Sequence, residues 1–505
     1  MLRILDTREP GFEARWRELC ARGSDEDEVD VREAAARIVA DVRARGDAAL
    51  LEHTRRLDGW APATAADLVA GPEAFEAAWR SLPAVGRRAL SLGARRVEAF
   101  HRRERDAVVP TFRDAIGARL GQVSRPLERV GLYVPGGTAR YPSTVLMTAV
   151  PARVAGVREI VACSPADRAT GAVDPWTLAA CHVSGVSRLF KVGGAQAVAA
   201  LAHGTATVPR VDKICGPGNA YVAAAKRIVF GQVDIDMIAG PSEILVLADA
   251  GADAAEVASG LLAQAEHDVR AVAVLVTPSE ALARAAVAEV ARQLETLPRR
   301  AIAAPSIEGR GAAVVARDLD EALRLADEFA PEHLALHASR AASLVPRLSR
   351  AGAVFVGPAT PEALGDYLAG PSHVLPTAGT ARFASPLSVA TFRRRMSVLE
   401  FSPEALAAVA PAVEALAAAE GLEGHWRAVK IRVDRRAGPR STGRAARAGE
   451  GAAVRSSTVR SAAAGRTRGA AAAERPVRTA QGRRASGSGR GARRLGRGRP
   501  PRRSR

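Results

Sequence analysis

The sequence is poor in cysteine and has no long apolar run. Its 505 residues include four cysteines, Cys20, Cys163, Cys181 and Cys215, with no Cys-x-x-Cys spacing. This usage argues against a disulfide framework or a cysteine-based zinc ribbon and is typical of a reducing cytoplasm. An uncharged stretch of about 18 apolar residues, which a membrane span needs, is missing. The charged N-terminus also lacks the apolar block of a signal peptide. We therefore expect a cytoplasmic protein with no membrane partner.

The formal net charge of the chain is +18, but this excess of positive charge lies in the C-terminal tail and is missing from the rest of the chain. Residues 436–505 contain 20 arginines, no lysine and two acids, which accounts for the whole excess and leaves the first 435 residues formally neutral. This tail has no hydrophobic periodicity, so it is predicted to be disordered. Its interpretation stays open between non-specific nucleic-acid binding, a solvated appendage and an out-of-frame extension.

The rest of the chain has the pattern of an α/β protein. The first 125 residues carry apolar positions at helical spacing, and from Val130 short β-rich runs alternate with helical stretches. The pattern predicts two incomplete Rossmann-like units with mainly parallel sheets, flanked by N- and C-terminal helical arms. The predicted segments are a helical arm (1–125), a first α/β domain (126–242), a second α/β domain (243–380), a helical arm (381–435) and the tail (436–505).

The predicted strands fall in two series. The first series is 131–134, 160–163, 189–192 and 211–215, with helices over 143–156, 175–184, 194–203 and 218–230. The second series is 243–248, 271–276, 312–316, 333–337 and 353–356, with helices over 253–267, 279–294, 319–329 and 340–349. A helix over 402–420 and a final strand over 429–433 complete the prediction.

Two glycine loops follow strands of the first series and open helices. They are Gly193-Gly194-Ala195-Gln196 and Gly216-Pro217-Gly218-Asn219. Free backbone N–H groups at such a helix start can hold a phosphate. Neither loop has the full dinucleotide fingerprint, and a loop of this kind alone is more often a tight strand-to-helix turn. Their occurrence on successive turns of one sheet favours a nucleotide site, to which Tyr133 would add an aromatic ring.

Histidine is scarce too, yet four of the nine histidines fall in short polar motifs. The motifs are Gln264-Ala265-Glu266-His267, Glu332-His333, Asp366 followed by His373, and Glu420 followed by His425. Imidazole, carboxylate and amide groups are the ligand types of an open zinc site, and a Glu-His pair can move protons. Taken singly, each residue is explained as well by a helix cap, an Asx-turn or a surface role.

Eight motifs occur in order along the body. They are GLYVPGGT (131–138), VGGAQA (192–197), VDKICGPGN (211–219), AGPSE (239–243), QAEH (264–267), PEHL (331–334), GDY (365–367) and HVLPT (373–377). On these motifs the body, roughly residues 30 to 433, resembles the histidinol dehydrogenase family. The tail lies outside the resemblance.

The resemblance implies a four-electron oxidation of L-histidinol to L-histidine through an aldehyde, with two NAD+ in turn, at the end of histidine biosynthesis. It also implies one zinc ion per site and a homodimer with exchanged arms and shared sites. The implied catalytic residues are Glu332 and His333, and the implied NAD contacts are Tyr133, Gln196 and Asn219. The implied zinc ligands are Gln264, His267, Asp366 and His425, and the implied substrate contacts are these four with Ser242, His333, His373 and Glu420. The resemblance places His425 and Glu420 in the partner's site.

Three rival functions remain at this point. A thiol mechanism would use Cys215 or Cys163 as the nucleophile, although a buried cysteine at a strand end is usually structural. A non-enzymatic nucleic-acid-binding role would rest on the tail alone. The third is a homologous dehydrogenase acting on another small alcohol, against which the presence of Glu420 and His425 favours histidinol.

Overall fold

The computed structural model describes residues 1–22, 28–104, 107–136 and 140–435. The predicted tail, 436–505, lies outside the described residues, as does Gly137 at the end of the turn after Tyr133.

The described chain contains fifteen strands, numbered here in chain order. They are β1 Arg3–Asp6, β2 Val69–Ala70, β3 Phe112–Arg113, β4 Arg119–Pro126, β5 Arg129–Tyr133, β6 Glu159–Cys163, β7 Arg188–Phe190, β8 Lys213–Cys215, β9 Asp234–Ile235, β10 Glu243–Ala248, β11 Val272–Thr277, β12 Ala312–Val315, β13 His333–His337, β14 Ala353–Val356 and β15 Arg393–Glu400.

Seventeen α-helices connect or flank these strands in the described ranges. They are α1 Phe12–Cys20, α2 Glu28–Arg45, α3 Asp47–His53, α4 Pro72–Ser81, α5 Ala84–His101, α6 Pro142–Ala155, α7 Pro175–Ser184, α8 Gly194–His203, α9 Ala220–Val229, α10 Ala254–Ala265, α11 Glu280–Leu294, α12 Arg300–Arg310, α13 Leu319–Phe329, α14 Ala341–Leu344, α15 Ala363–Tyr367, α16 Pro403–Ala419 and α17 Glu423–Asp434.

Two six-stranded sheets confirm the predicted α/β class. The first has the order β2-β7-β6-β5-β8-β9 and is parallel except for the short edge strand β2. The second has the order β1-β12-β11-β10-β13-β14 and is parallel throughout. In each sheet the strand order reverses once beside a central strand, next to β5 in the first and β10 in the second. Such reversals leave a crevice in which ligands commonly bind.

Helices cover both faces of each sheet. One face of the second sheet packs on α10, α11 and α12, and the other packs on α1 and α13. Its central strands β10 and β11 are buried at every position, which is why they read as continuous apolar runs rather than as alternating ones. Burial of each such Leu or Val side chain contributes about 1.5–3 kcal/mol.

The N-terminal segment contributes to both sheets. Strand β1 pairs with β12, with Arg3 opposite Ala312, and β2 pairs with β7. The sequence pattern predicted helices here and missed both strands, because β1 is a four-residue edge strand with charged residues at both ends.

The C-terminal segment differs from its prediction at two elements, because the helical arm predicted over 381–435 also contains the strand β15. Residues 429–433 were predicted as a strand, and they lie in helix α17 instead. The prediction is wrong because Val429, Ile431 and Val433 alternate with charged residues, whereas α17 has no buried residue to fix its period. Ahead of it, β15 pairs with β4 in a separate three-stranded antiparallel sheet.

Candidate active site

Glu332 and His333 lie at the amino end of strand β13, which pairs with β10. Helix α13 stops at Phe329, and Ala330 takes a left-handed conformation with φ of 48°, which turns the chain into the strand. Both side chains are buried, with 7% of each exposed. Because Ile244 is paired with His333 across the two strands, the start of β10 lies directly beside the pair.

The backbone of Glu243, the first residue of β10, holds both side chains. Its N–H donates to Oε2 of Glu332 at 2.8 Å, and its carbonyl oxygen lies 3.0 Å from Nδ1 of His333. The two catalytic candidates are 3.5 Å apart, from Nδ1 of His333 to Oε2 of Glu332. One residue therefore sets the position of two neighbouring proton-carrying groups.

Burial shifts both groups toward their neutral forms. It raises the pKa of the Glu332 carboxyl well above the ordinary value, although the hydrogen bond from Glu243 opposes the shift. It lowers the pKa of His333, against the opposing effect of the Asp366 charge. A neutral imidazole and a carboxyl that exchanges its proton at a higher pH than usual suit acid–base work.

Four further predicted residues surround this pair. Gln264 is buried in the last turn of α10, and His267 follows two residues after the helix, with Nδ1 3.3 Å from the Gln264 carbonyl oxygen. Asp366 lies in α15, with Oδ1 3.6 Å from Nδ1 of His373. Burial opposes ionisation of Asp366, yet His373, His333 and His267 together hold its pKa below the ordinary value.

These residues form an incomplete metal-binding set. Gln264, His267 and Asp366 offer an amide oxygen, an imidazole and a carboxylate, which suit zinc. In the described ranges, no three His, Cys, Asp or Glu side chains converge closely enough to hold a metal ion. The chemistry of these three donors fits zinc, and a tetrahedral site would need a further ligand.

The structure does not bring Glu420 and His425 to this group. Both are exposed, Glu420 at the end of α16 and His425 in α17. Within the described part of the chain, no hydrogen bond or ion pair joins either side chain to another residue. Ser242 immediately precedes β10, next to the residue that holds Glu332 and His333.

The predicted cofactor residues line a separate cavity of about 1500 Å³, at the carboxyl ends of the first sheet. Tyr133, Gln196 and Asn219 all belong to its lining, and Glu332 and His333 do not. The Gly194 N–H donates to the Tyr133 hydroxyl at 3.0 Å, and Asn219 caps α9 by accepting from Val222 N–H. Gln196 Oε1 is buried with no hydrogen-bond partner in the described chain. Such an unpaired buried acceptor fits a ligand that donates to it.

Sequence reasoning missed the carboxylates that hold the glycine loops. Asp58, at the end of a π-helical turn over Thr54–Asp58, accepts from Gly193 N–H at 2.9 Å and from Gln196 Nε2 at 3.2 Å. Asp236 accepts from Gly216 N–H at 2.7 Å and forms a buried ion pair with Lys226. No local sequence pattern marks Asp58, because its partner Gly193 lies 135 positions away.

The cysteines do not support a thiol mechanism. Cys163 and Cys215 are fully buried, and burial raises the pKa of both thiols. A nucleophilic cysteine needs the opposite shift, toward the thiolate. They therefore act as apolar core residues.

The fold and the site define an α/β protein with a large ligand cavity and a buried Glu-His pair. Residues 21–433 match the family model described as histidinol dehydrogenase, so the chain belongs to the histidinol dehydrogenase family. The chain is 52% identical to the histidinol dehydrogenase of Syntrophotalea carbinolica over 433 residues, which cover 86% of this chain and 99% of the relative. It is also 52% identical to that of Cereibacter sphaeroides over 435 residues, with the same coverage.

A solved structure supports the assignment of the fold. The histidinol dehydrogenase of Elizabethkingia anophelis superposes with a TM-score of 0.80 at 31% identity, covering 86% of this chain and 99% of that one. The match extends over both sheets rather than one. None of the described helices combines the length and the apolarity that crossing a membrane requires.

Proposed function

We propose that this chain oxidises L-histidinol to L-histidine through histidinal, with two NAD+ per turnover, as the last step of histidine biosynthesis. The observation that carries the proposal is the buried Glu332-His333 pair, held beside Asp366, His267 and His373 in a chain of this family. Relatives named for this activity share about half of their residues with the chain over almost their whole length.

NAD+ is proposed to occupy the cavity lined by Tyr133, Gln196 and Asn219. When bound, it supplies the hydride acceptor for both oxidations. The orphaned Gln196 Oε1 would accept a hydrogen bond from the cofactor. The free N–H groups at the starts of α8 and α9 would face its phosphates.

Zinc is proposed to be held by Gln264, His267 and Asp366 together with His425 of a second copy. When bound, it would orient the amino alcohol and polarise its oxygen without any redox change. The lowered pKa of Asp366 supports this role, because a carboxyl group must be ionised to bind a metal ion.

His333 and Glu332 divide the proton transfers in this proposal. His333, neutral because it is buried, takes the hydroxyl proton at each hydride transfer. Glu332 takes a proton from the water that hydrates the aldehyde before the second oxidation. Ser242, His373 and Glu420 of a second copy are proposed to bind the substrate.

A homodimer is proposed because the C-terminal arm carries polar residues that its own site lacks. Glu420 and His425 are exposed here, and Leu399, Leu416 and Ile431 near them are exposed apolar residues. Burial of these side chains against a second copy would stabilise an exchanged arm.

The test is a panel of amino alcohols assayed with purified protein and NAD+. We expect L-histidinol to give two NADH per histidine formed and to exceed alcohols without an imidazole by a factor on the order of 10³. A chelator should abolish turnover and added zinc should restore it. His267→Ala is the matched control for zinc restoration. This variant lacks a proposed zinc ligand, so added zinc should not restore its activity. Preference for another alcohol would overturn the substrate, and full activity after chelation would overturn the metal.

A further inference from the structure

Arg22 and Glu243 form a buried ion pair beneath the candidate active site. Their side chains are 5% and 1% exposed, and Nε of Arg22 donates to Oε2 of Glu243. The guanidinium carbon also lies 3.3 Å from the centre of the Phe329 ring. A fully desolvated pair of this kind is costly to build and costly to break, so its position in the fold needs an explanation.

The arginine ties the N-terminal segment to the turn before the Glu-His pair. Its Nη2 donates to the carbonyl oxygen of Phe329 at 2.7 Å and approaches that of Ala330 at 3.5 Å. Its Nη1 lies 3.3 Å from the carbonyl oxygen of Cys20, at the end of α1. The planar fork of a guanidinium reaches these acceptors together, which a lysine ammonium cannot do with the same geometry.

The side chain of Glu243 binds a second turn, residues 377–379, to the start of β10. Oε1 of Glu243 accepts from the backbone N–H of Ala378, and Gly240 N–H donates to Thr377 Oγ1 at 2.6 Å. Residues 377–379 follow the loop that carries His373. The ion pair thus joins the turn before β13 to the turn after His373.

Backbone strain is concentrated at the two turns that the pair connects. Ala330, with φ of 48°, and Ala378, with φ of 54°, are the only non-glycine residues of the described chain with positive φ. Strained conformations of this type persist where the surroundings over-determine them, and they cluster at functional sites. The carbonyl of one and the N–H of the other face the same ion pair.

Glu243 connects the buried ion pair directly to the two proposed catalytic residues. Its backbone N–H and carbonyl hold Glu332 and His333, while its side chain holds Arg22. We infer that Arg22 and Glu243 are positioning residues for the Glu332-His333 pair, which set the alignment of both catalytic groups from beneath. The inference rests on the proposed function, because it presumes that Glu332 and His333 carry the reaction.

The inference is tested with Arg22→Met and Glu243→Gln. The first leaves Glu243 without its cation, and the second keeps an acceptor for Ala378 N–H while removing the charge. Glu321→Gln is the matched control. Glu321 is also a buried carboxylate paired with an arginine, Arg317, but it lies at the opposite end of α13 from Glu332.

Four quantities are measured for each variant: kcat and KM (each for histidinol and for histidinal), zinc bound per chain, and the melting temperature. We expect kcat of Arg22→Met and Glu243→Gln to fall on the order of 100-fold with both substrates, because sub-ångström misplacement of catalytic groups costs about that much. KM should change less than about threefold, and bound zinc should stay the same, since the ligands are not moved. The control should melt at a lower temperature with kcat within about twofold of wild type.

If Arg22→Met is insoluble, the double variant Arg22→Met/Glu243→Met tests the positioning role instead. It leaves no unpaired buried charge, so it should fold, and its kcat should still be low. Turnover within about threefold of wild type, in the single or the double variant, would overturn the inference. His333→Asn distinguishes failure of the positioning role from failure of the proposed function. Wild-type turnover in His333→Asn would refute the assignment of His333 as a catalytic residue. Slow His333→Asn with fast Arg22→Met would reject the positioning role alone.

Discussion

Nδ1 of His333 lies 3.0 Å from the backbone carbonyl oxygen of Glu243. A carbonyl only accepts, so Nδ1 carries the proton in the neutral ring and Nε2 keeps the free lone pair. Burial lowers the pKa of this histidine, which keeps that lone pair free at neutral pH. The base of the proposed reaction is therefore Nε2.

His333→Asn should slow both half-reactions, because each hydride transfer needs loss of a hydroxyl proton. We expect kcat to fall on the order of 10²–10⁴-fold, the usual contribution of a general base. Stopped-flow measurement of NADH formation from histidinol and from histidinal checks this. A loss confined to one substrate would contradict a shared base.

Glu332→Gln should impair the aldehyde step more than the alcohol step. Only the second oxidation needs activated water, and an amide cannot accept a proton from it. Histidinal supplied directly should be oxidised at least about tenfold more slowly relative to wild type than histidinol is in its first step. Equal losses in both steps would argue against this division of roles.

The two half-reactions should differ in their acid limbs. The pKa of His333 is lowered, so protonation removes this base only below the ordinary histidine value of 6.5. The pKa of Glu332 is raised well above 4.5, so the carboxylate is lost while the pH is still well above that value. Profiles of kcat/KM against pH for histidinal should show the Glu332 limb, and Glu332→Gln should lack it. A limb at or below pH 4.5 would contradict the buried environment of the carboxyl.

Asp58→Asn should weaken NAD+ binding. The substitution removes the charge that holds Gly193 N–H and Gln196 Nε2, and the new amide group opposes one of these two donors. Loss of one charged hydrogen bond predicts a rise in KM for NAD+ of about tenfold, with KM for histidinol unchanged. Asp67→Asn is the control, because Asp67 lies in an exposed capping box with Thr64. If both variants have the same KM for NAD+, the prediction that Asp58 supports NAD+ binding is wrong.

Mixing two inactive variants tests the shared site. His267→Ala and His425→Ala chains are mixed after mild denaturation, and heterodimers are confirmed with differently sized tags. If arms are exchanged, each heterodimer has one site with both lesions and one with neither, so statistical mixing should restore roughly a quarter of wild-type activity. If His425 serves its own subunit, every site keeps a lesion and nothing is restored.

Strands at the centre of the fold were predictable because they are buried on both faces. The prediction of 243–248 agrees with β10 and that of 333–337 with β13, and both strands are buried at every position. Parallel strands covered by helices are uninterrupted apolar runs with polar residues at both ends. The sequence therefore predicts both that the segment is a strand and where the strand begins and ends. At 429–433 the helix has no buried residue, and an alternating local pattern gave the wrong period.

The supporting contacts of the site could not be predicted in this way. The Glu-His pair was visible as a polar motif in apolar sequence. Arg22 and Glu243 are 221 positions apart, and Asp58 and Gly193 are 135 apart. No local pattern connects such partners, since the fold alone brings them together. The roles proposed for Glu420 and His425 also require a second copy of the chain.

The pairing of β1 with β12 has a consequence for the order in which this protein matures. Arg3 is made first, but its partner Ala312 leaves the ribosome only after some 300 further residues, roughly 15–60 s later at ordinary elongation rates. The strands of the first sheet, β5 to β9, are complete well before then. Until β12 appears, Leu5, Phe12 and Trp16 lack the apolar surface that they cover in the finished fold. The nascent N-terminus therefore carries uncovered apolar side chains through most of synthesis, and exposed apolar surface of this kind promotes aggregation.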